Sequence, residues 1–244
     1  MSAGELTEDS RRAFFTGLSS MAVLALGACT ASREIEDASG AEHGEGHEEE
    51  EEGAEVTPGE DLMQEHGVLE RILLVYDEAI VRLNDGVRVD PALLISSATL
   101  VRKFVENYHE KSEELFVFPR LEKLGKQTEL VATLKQQHLK GREVTAAILA
   151  TAGTPGSVDA PRLAGLLRSF VRMYRPHASR EETVLFPAFR KTMDDDGYRE
   201  LGERFEEREH KMFGKDGFDD AVARVAKIEV ALGIHDLARF TPVL

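Results

Sequence analysis

Apolar residues recur along this chain in alternating steps of three and four, and hardly anywhere in steps of two. That period predicts helices and no sheet. The first helix opens at Thr57-Pro58-Gly59-Glu60, where Thr at the cap, Pro at the first position and Glu at the third form a capping box. Its stripe is Leu62, His66, Leu69, Leu73, Tyr76, Ile80 and Leu83, ending near Asn84-Asp85-Gly86. Asp90-Pro91 opens a second helix with the stripe Leu94, Val101, Val105, His109, Glu113 and Phe116. Residues 91–118 would span about 40 Å at the α-helical rise, and Pro119 should stop or kink the helix. A third helix covers roughly 127–151, with Leu130, Leu134, His138, Thr145 and Ile148 inward, and breaks at Gly153-Thr154-Pro155-Gly156. Asp159 and Pro161 open a fourth, with Leu163, Leu166, Phe170, Tyr174, His177, Glu181 and Val184 inward. Pro176 inside it should kink the chain just before His177. Two shorter helices, about 194–213 and 217–232, and a surface tail from His235 complete the reading. The expected fold is all-α: an up-and-down four-helix bundle over residues 58–190 with a C-terminal helical extension over 191–244.

The stripes carry a repeat. His109 to Pro119 and His177 to Pro187 both read H-x-x-x-E-E-x-x-x-F-P, 68 residues apart. Gln64-Glu65-His66 and Gln136-Gln137-His138 stand 72 residues apart. Each helical hairpin thus supplies one His and then a His-x-x-x-Glu pair, whose two members share a helix face. Phe-Pro reads as a helix-end device. Glu114 and Glu182, one position on, rotate off that face and read as solvated, the alternative being a bond to a ligand imidazole.

Six groups therefore lie on apolar faces: His66, His109, Glu113, His138, His177 and Glu181. A lone histidine there is commonly a satisfied core residue, and a buried His–Glu hydrogen-bond network is the plain alternative for all six. An unpaired buried carboxylate is costly, however, and two facing carboxylates repel until one takes a proton. Cations remove both costs. Six nitrogen and oxygen ligands exceed one tetrahedral zinc and are too rich in imidazole for calcium or magnesium. They suit two six-coordinate iron or manganese ions. Of twelve bonds, four imidazoles supply four, two bridging carboxylates four and a shared oxo or hydroxo bridge two, which leaves about two positions for a small ligand.

On these residues, 58–190 resemble the hemerythrin-like, or HHE cation-binding, domains. The resemblance implies a non-haem di-iron centre binding O2, NO or a related molecule such as peroxide. It makes His66, His109, His138 and His177 terminal ligands and Glu113 and Glu181 bridges, with iron preferred over manganese. Oxygen-carrying members have an H-x-x-x-H pair on the third helix, where this chain pairs His138 with Arg142 or Leu134. The pattern here is closer to members linked to NO response, iron–sulfur repair and iron sensing. The expected function is binding of a diatomic ligand in sensing, stress response or detoxification. A di-iron enzyme of peroxidase or NO reductase type is the alternative. Ferritin-like iron handling ranks third, resting on Glu106-x-x-His109 and Glu207-x-x-His210. His210 is either a surface residue or a fifth histidine folded back. Tyr108 and Tyr174 are packing residues or donors to a bound ligand.

Charge adds little to the site and more to its surroundings. The formal net charge is −15, and Arg33 to Asp61 holds 13 acids against one base. Acidity of that order argues against nucleic acid as a partner. Residues 1–29 resemble an export signal: Arg11-Arg12 is a twin-arginine pair, Ala13 to Ala28 an apolar run, and Leu26-Gly27-Ala28-Cys29 a lipobox. The expectation is an exported lipoprotein anchored through lipid at Cys29, the one cysteine. Residues 30–57 read as an acidic tether whose His43 and His47 take no part in the site.

Overall fold

The computed structural model describes residues 56–153, 159–215 and 217–243. The residues read as an export signal, Cys29 and the acidic stretch with His43 and His47 lie outside them. Among the described residues there is no strand, and no helix is long and apolar enough to cross a membrane.

Among the described residues six long helices follow in order, with a short 3-10 turn at Leu237–Phe240 after them. The first, α1, is Pro58–Asn84, opened by the expected capping box: Thr57 Oγ1 accepts from Glu60 N–H, and Thr57 N–H donates to Glu60 at 3.0 Å. The second, α2, runs without a break over residues 91–123; Asp90 caps it by accepting from Ala92 N–H at 3.0 Å. Next come α3, Thr128–Ala152, and α4, residues 160–190, capped by Asp159 accepting from Arg162 N–H. Two further helices, α5, Asp195–Phe213, and α6, Gly217–Leu232, form the extension. It is tied to the bundle: Gly59 N–H donates to Tyr198 Oη at 2.8 Å, and Arg71 Nε donates to Glu229 at 2.9 Å.

The expected stop at Pro119 does not occur. The α2 helix continues to Lys123, and α4 likewise passes Pro187 to Arg190. Both cross their proline through a π-helical turn, Glu113–Val117 and Glu181–Leu185. Phe118 N–H bonds the Glu113 carbonyl and Phe186 N–H the Glu181 carbonyl, one residue further back than in an α-helix. A proline in α register would clash with the carbonyl four residues before it. The wider turn moves that carbonyl aside, so the helix survives. Phe-Pro is accordingly not a helix-end device but the exit of a π turn that begins at each glutamate of the repeat. A further π segment, Val101–His109, ends at the first histidine of the motif.

The register change alters which side chains face inward. Beyond Glu113 the buried residues are Val117, Phe118 and Leu121, with Phe116 only part-buried. Beyond Glu181 they are Leu185, Phe186 and Phe189, with Val184 part-buried. The other expected stripes lie inward except at Leu83, Leu130 and Leu166, which are part-buried, with Val131 and Leu167 buried beside the last two.

Two apolar clusters stack along the bundle. One holds Val68 to Ile80 of α1, Leu94 to Tyr108 of α2, Ile148 of α3 and Leu163 to Tyr174 of α4. The other holds Leu62, Val117 to Leu121, Val131, Leu134 and Leu185 to Phe189, closed by Tyr198, Leu201 and Phe205 of α5. On every helix of the four, the polar residues of the repeat fall between the two. The bundle thus holds one polar layer between two dry ones.

Candidate metal centre

That polar layer is built from the six residues singled out by the repeat. His66 comes from α1, His109 and Glu113 from α2, His138 from α3, and His177 and Glu181 from α4. All six are buried, none more than 3% exposed. Their ligand atoms form two groups, His66–His109–Glu113–Glu181 and Glu113–His138–His177–Glu181, and within each group they lie within 4.8 Å of one another. Both glutamates belong to both groups. Glu181 approaches His66 Nε2 with one oxygen at 3.3 Å and His177 Nε2 with the other at 3.1 Å. Glu113 Oε2 stands 3.4 Å from His138 Nε2 and 3.9 Å from His109 Nε2. The inward nitrogens of His66 and His138 and all four glutamate oxygens lack a hydrogen-bond partner among the described residues. Buried polar atoms are rarely left so. Two imidazole nitrogens and four carboxylate oxygens left so, in groups of buried His and Glu, fit the binding of metal cations.

The hemerythrin HHE cation binding domain matches this chain over residues 57–189 and again over 130–216. The chain belongs to the hemerythrin HHE cation-binding family. Among its relatives are the uncharacterized protein Rv1995 of Mycobacterium tuberculosis and the uncharacterized protein Mb2018 of Mycobacterium bovis. Each is 42% identical over 229 residues, covering 92% of this chain and 87% of the relative. No solved structure matches it.

The chain also supplies an outer layer of acceptors. Of the two roles expected of Glu114 and Glu182, solvation is not the one found: each bonds a histidine. Glu182 accepts from His66 Nδ1–H at 3.1 Å and Glu114 from His138 Nδ1–H at 3.1 Å. A step of one residue turns a side chain about 100° around a helix of 3.6 residues per turn. In a bundle that direction faces the neighbouring helix. The same geometry brings in two residues whose role was missed: Glu65 accepts from His109 Nδ1–H at 2.7 Å, and Gln137 Oε1 from His177 Nδ1–H at 2.9 Å. Their signal was the position before His66 and His138 in the shorter repeat. An acceptor at every Nδ1 orients each ring so that its Nε2 turns inward, toward Glu113 or Glu181.

The remaining candidates are not gathered into this cluster. His210 is exposed on α5. Glu207 is exposed, and buried Glu106 belongs to neither group, so the E-x-x-H strings assemble no second set of ligands among the described residues. Tyr108 donates to the Phe205 carbonyl at 3.4 Å. Tyr174 sets its ring edge against His177 but donates its hydroxyl to Glu110 at 2.6 Å. Gly141 makes room for that hydroxyl, since a Cβ there would stand 1.9 Å from it. Glu110 and Glu114 approach one another and His138 closely enough to suggest a third ion position, but Arg142 Nη2 lies 2.7 Å from both carboxylates and takes the cation's place.

In the apoprotein these groups cannot all keep their ordinary charges. Burial drives Glu113 well above the usual carboxylate range, with the charge of Glu181 pushing the same way. Glu181 lies well below that range, because His177 and His66 outweigh its burial. Burial opposes a charged His66, but Glu181 and Glu182 lift it to about 9. Burial and the nearby His66 hold His109 well below its ordinary value, and burial takes His138 down to about 4 against Glu114. A proton on Glu113 and an imidazolium at His66 stand in for metal charge.

This fixes a pH dependence. A pKa raised on folding contributes stability that is complete below the unfolded value and lost as pH rises through the folded one. For His66 that window runs from 6.5 to about 9. Glu110, raised by burial to about 8, acts in the same direction from 4.5. His138 acts oppositely, but only below 6.5. The apoprotein's calorimetric melting midpoint should therefore fall as pH rises from 6.5 to 9, and His66→Asn should remove the part due to His66. A flat profile in the unsubstituted apoprotein would contradict the charge assignment.

Proposed function

We propose that this chain is a non-haem di-iron protein that binds a small diatomic ligand, O2 or NO, in sensing, stress response or detoxification. The observation that carries this reading is the pair of ligand groups sharing both carboxylates. His66 and His109 would hold one iron, His138 and His177 the other, and Glu113 and Glu181 would bridge them. When bound, the iron pair supplies redox-active positions at which a small molecule can be held. The protein's part is to aim four Nε2 lone pairs through their Nδ1 partners, to balance charge with the two carboxylates, and to exclude water. Phe186 stacks on His66 and Phe118 on His138, with ring centroids 5.6 and 5.4 Å apart. These rings and the two apolar clusters make the layer dry, which strengthens every electrostatic contact inside it.

Binding is favoured over turnover by where the phenols point. Cleaving a peroxide needs a proton delivered to the departing oxygen. Tyr174 and Tyr108, the expected donors, give their hydroxyl protons to Glu110 and to the Phe205 carbonyl. The test is anaerobic loading with ferrous iron, metal analysis, and stopped-flow mixing with NO, O2 and hydrogen peroxide. The expected result is about two irons per chain and a single ligand-dependent spectral change with NO or O2. Sustained consumption of peroxide or NO over many turnovers would transfer the protein to the enzyme class.

A further inference from the structure

The two halves of the repeat are not electrically equal. In the first, the partners of the histidines are two carboxylates, Glu65 on His109 and Glu182 on His66. In the second, the position of Glu65 is taken by a neutral amide, Gln137 on His177. The remaining partner there, Glu114 on His138, is shared with Arg142 at 2.7 Å and with Lys111. The repeat offsets show what each half has instead. Seventy-two residues before Arg142 stands Glu70, and 68 residues after Lys111 stands Ser179. These three paired positions differ in charge so as to make the surroundings of His66 and His109 the more negative; a fourth, Glu110 against Ala178, acts the other way.

Other charged groups offset part of this difference without reversing it. Arg175 lies 3.9 Å from Glu70 but gives its closer contact, 2.8 Å, to Asp77. Arg208 faces Glu65 from α5, while its guanidinium donates to the Tyr108 carbonyl at 2.9 Å and to Ser112. On the other side Glu110 adds a carboxyl near His138, but it is clamped by Arg142 and Tyr174.

A carboxylate accepting from Nδ1–H makes the imidazole a stronger donor at Nε2, and loss of such a partner typically lowers metal affinity by about 10- to 100-fold. We propose that the two ion positions are inequivalent, the one at His66 and His109 binding its cation first and the one at His138 and His177 holding a looser, exchangeable ion. The inference rests on the two-ion reading above.

Calorimetric titration of the apoprotein with cobalt(II) tests it. Two resolved steps are expected, the first tighter by about tenfold or more. Glu65→Gln keeps an acceptor on His109 but removes its charge, and should weaken the first step. Gln137→Glu should tighten the second. Circular dichroism melts of the metal-free variants establish that both fold. Two ions bound with affinities that neither substitution moves, or a Glu65→Gln effect on the second step alone, would overturn the inequivalence and leave the two-ion site standing. Saturation below two cobalt ions in the unsubstituted protein would overturn the two-ion site itself, and the inference with it.

Discussion

Replacing Glu181 with alanine should leave a chain that retains one iron or none where the unsubstituted protein holds about two. The two oxygens of Glu181 lie 3.3 and 3.1 Å from histidines of different groups, so the substitution removes one bond from each position at once. No neighbouring group can replace it: Glu182 is committed to His66 Nδ1 on the outer side. Because a metal bound only by the folded state adds its binding energy to stability, the melting midpoint of the iron-loaded variant should fall toward that of the apoprotein. Glu182→Ala is the control. It removes a partner of one imidazole and no cation ligand, so it should weaken binding by about 10- to 100-fold without lowering the stoichiometry reached at saturation. Metal analysis by plasma emission and calorimetric melts measure both effects. Iron content in Glu181→Ala equal to the unsubstituted protein would remove Glu181 from the site.

The four bundle helices and the six inward residues were legible because each depends on local geometry. A period of 3.6 fixes which residues share a face, and a repeated motif fixes which of those are polar for a reason. What stayed illegible depends on neighbouring helices or on backbone register. Periodicity places Glu114 off the inner face, and that is correct. It does not say that the direction off the inner face meets His138 on α3 rather than water. Glu65 and Gln137 were hidden by the same limit. The π turns were hidden differently. An apolar stripe has one phase, and a turn that inserts an extra residue changes that phase midway, so Phe116 and Val184 were assigned inward places held by Val117, Phe118, Leu185 and Phe186. The Phe-Pro that follows each turn was the available signal, and its occurrence after both glutamates was the hint that it served the site. His210, read as a surface residue or a fifth histidine, is exposed on α5.

Those turns lead to the other large effect. Deleting Leu115 should cost the folded protein about 3 kcal/mol while leaving Glu113 in the polar layer. Leu115 lies inside the π turn Glu113–Val117 and is 57% exposed, so its side chain contributes little to packing. Removing one residue takes away the extra member of the turn and closes it to α-helical register. Val117, Phe118 and Leu121 then stand three, four and seven positions after Glu113, the spacing that keeps all four on one face. The three apolar residues are fully buried, and burying each is worth about 1.5–3 kcal/mol, so they should hold the helix in that phase. The cost falls on Pro119. Without the wider turn its ring meets the carbonyl four residues before it, then that of Glu114, and a proline so placed destabilises a helix by about 3 kcal/mol or more. The melting midpoint should fall while the metal content stays at about two ions per chain. Leu115→Ala, which retains the residue count, should keep the turn, the metal and most of the stability. Calorimetric melts and metal analysis on the pair separate the role of the register from that of the side chain. If the deletion variant melted with the unsubstituted protein, the π turn would not be what lets the helix pass its proline.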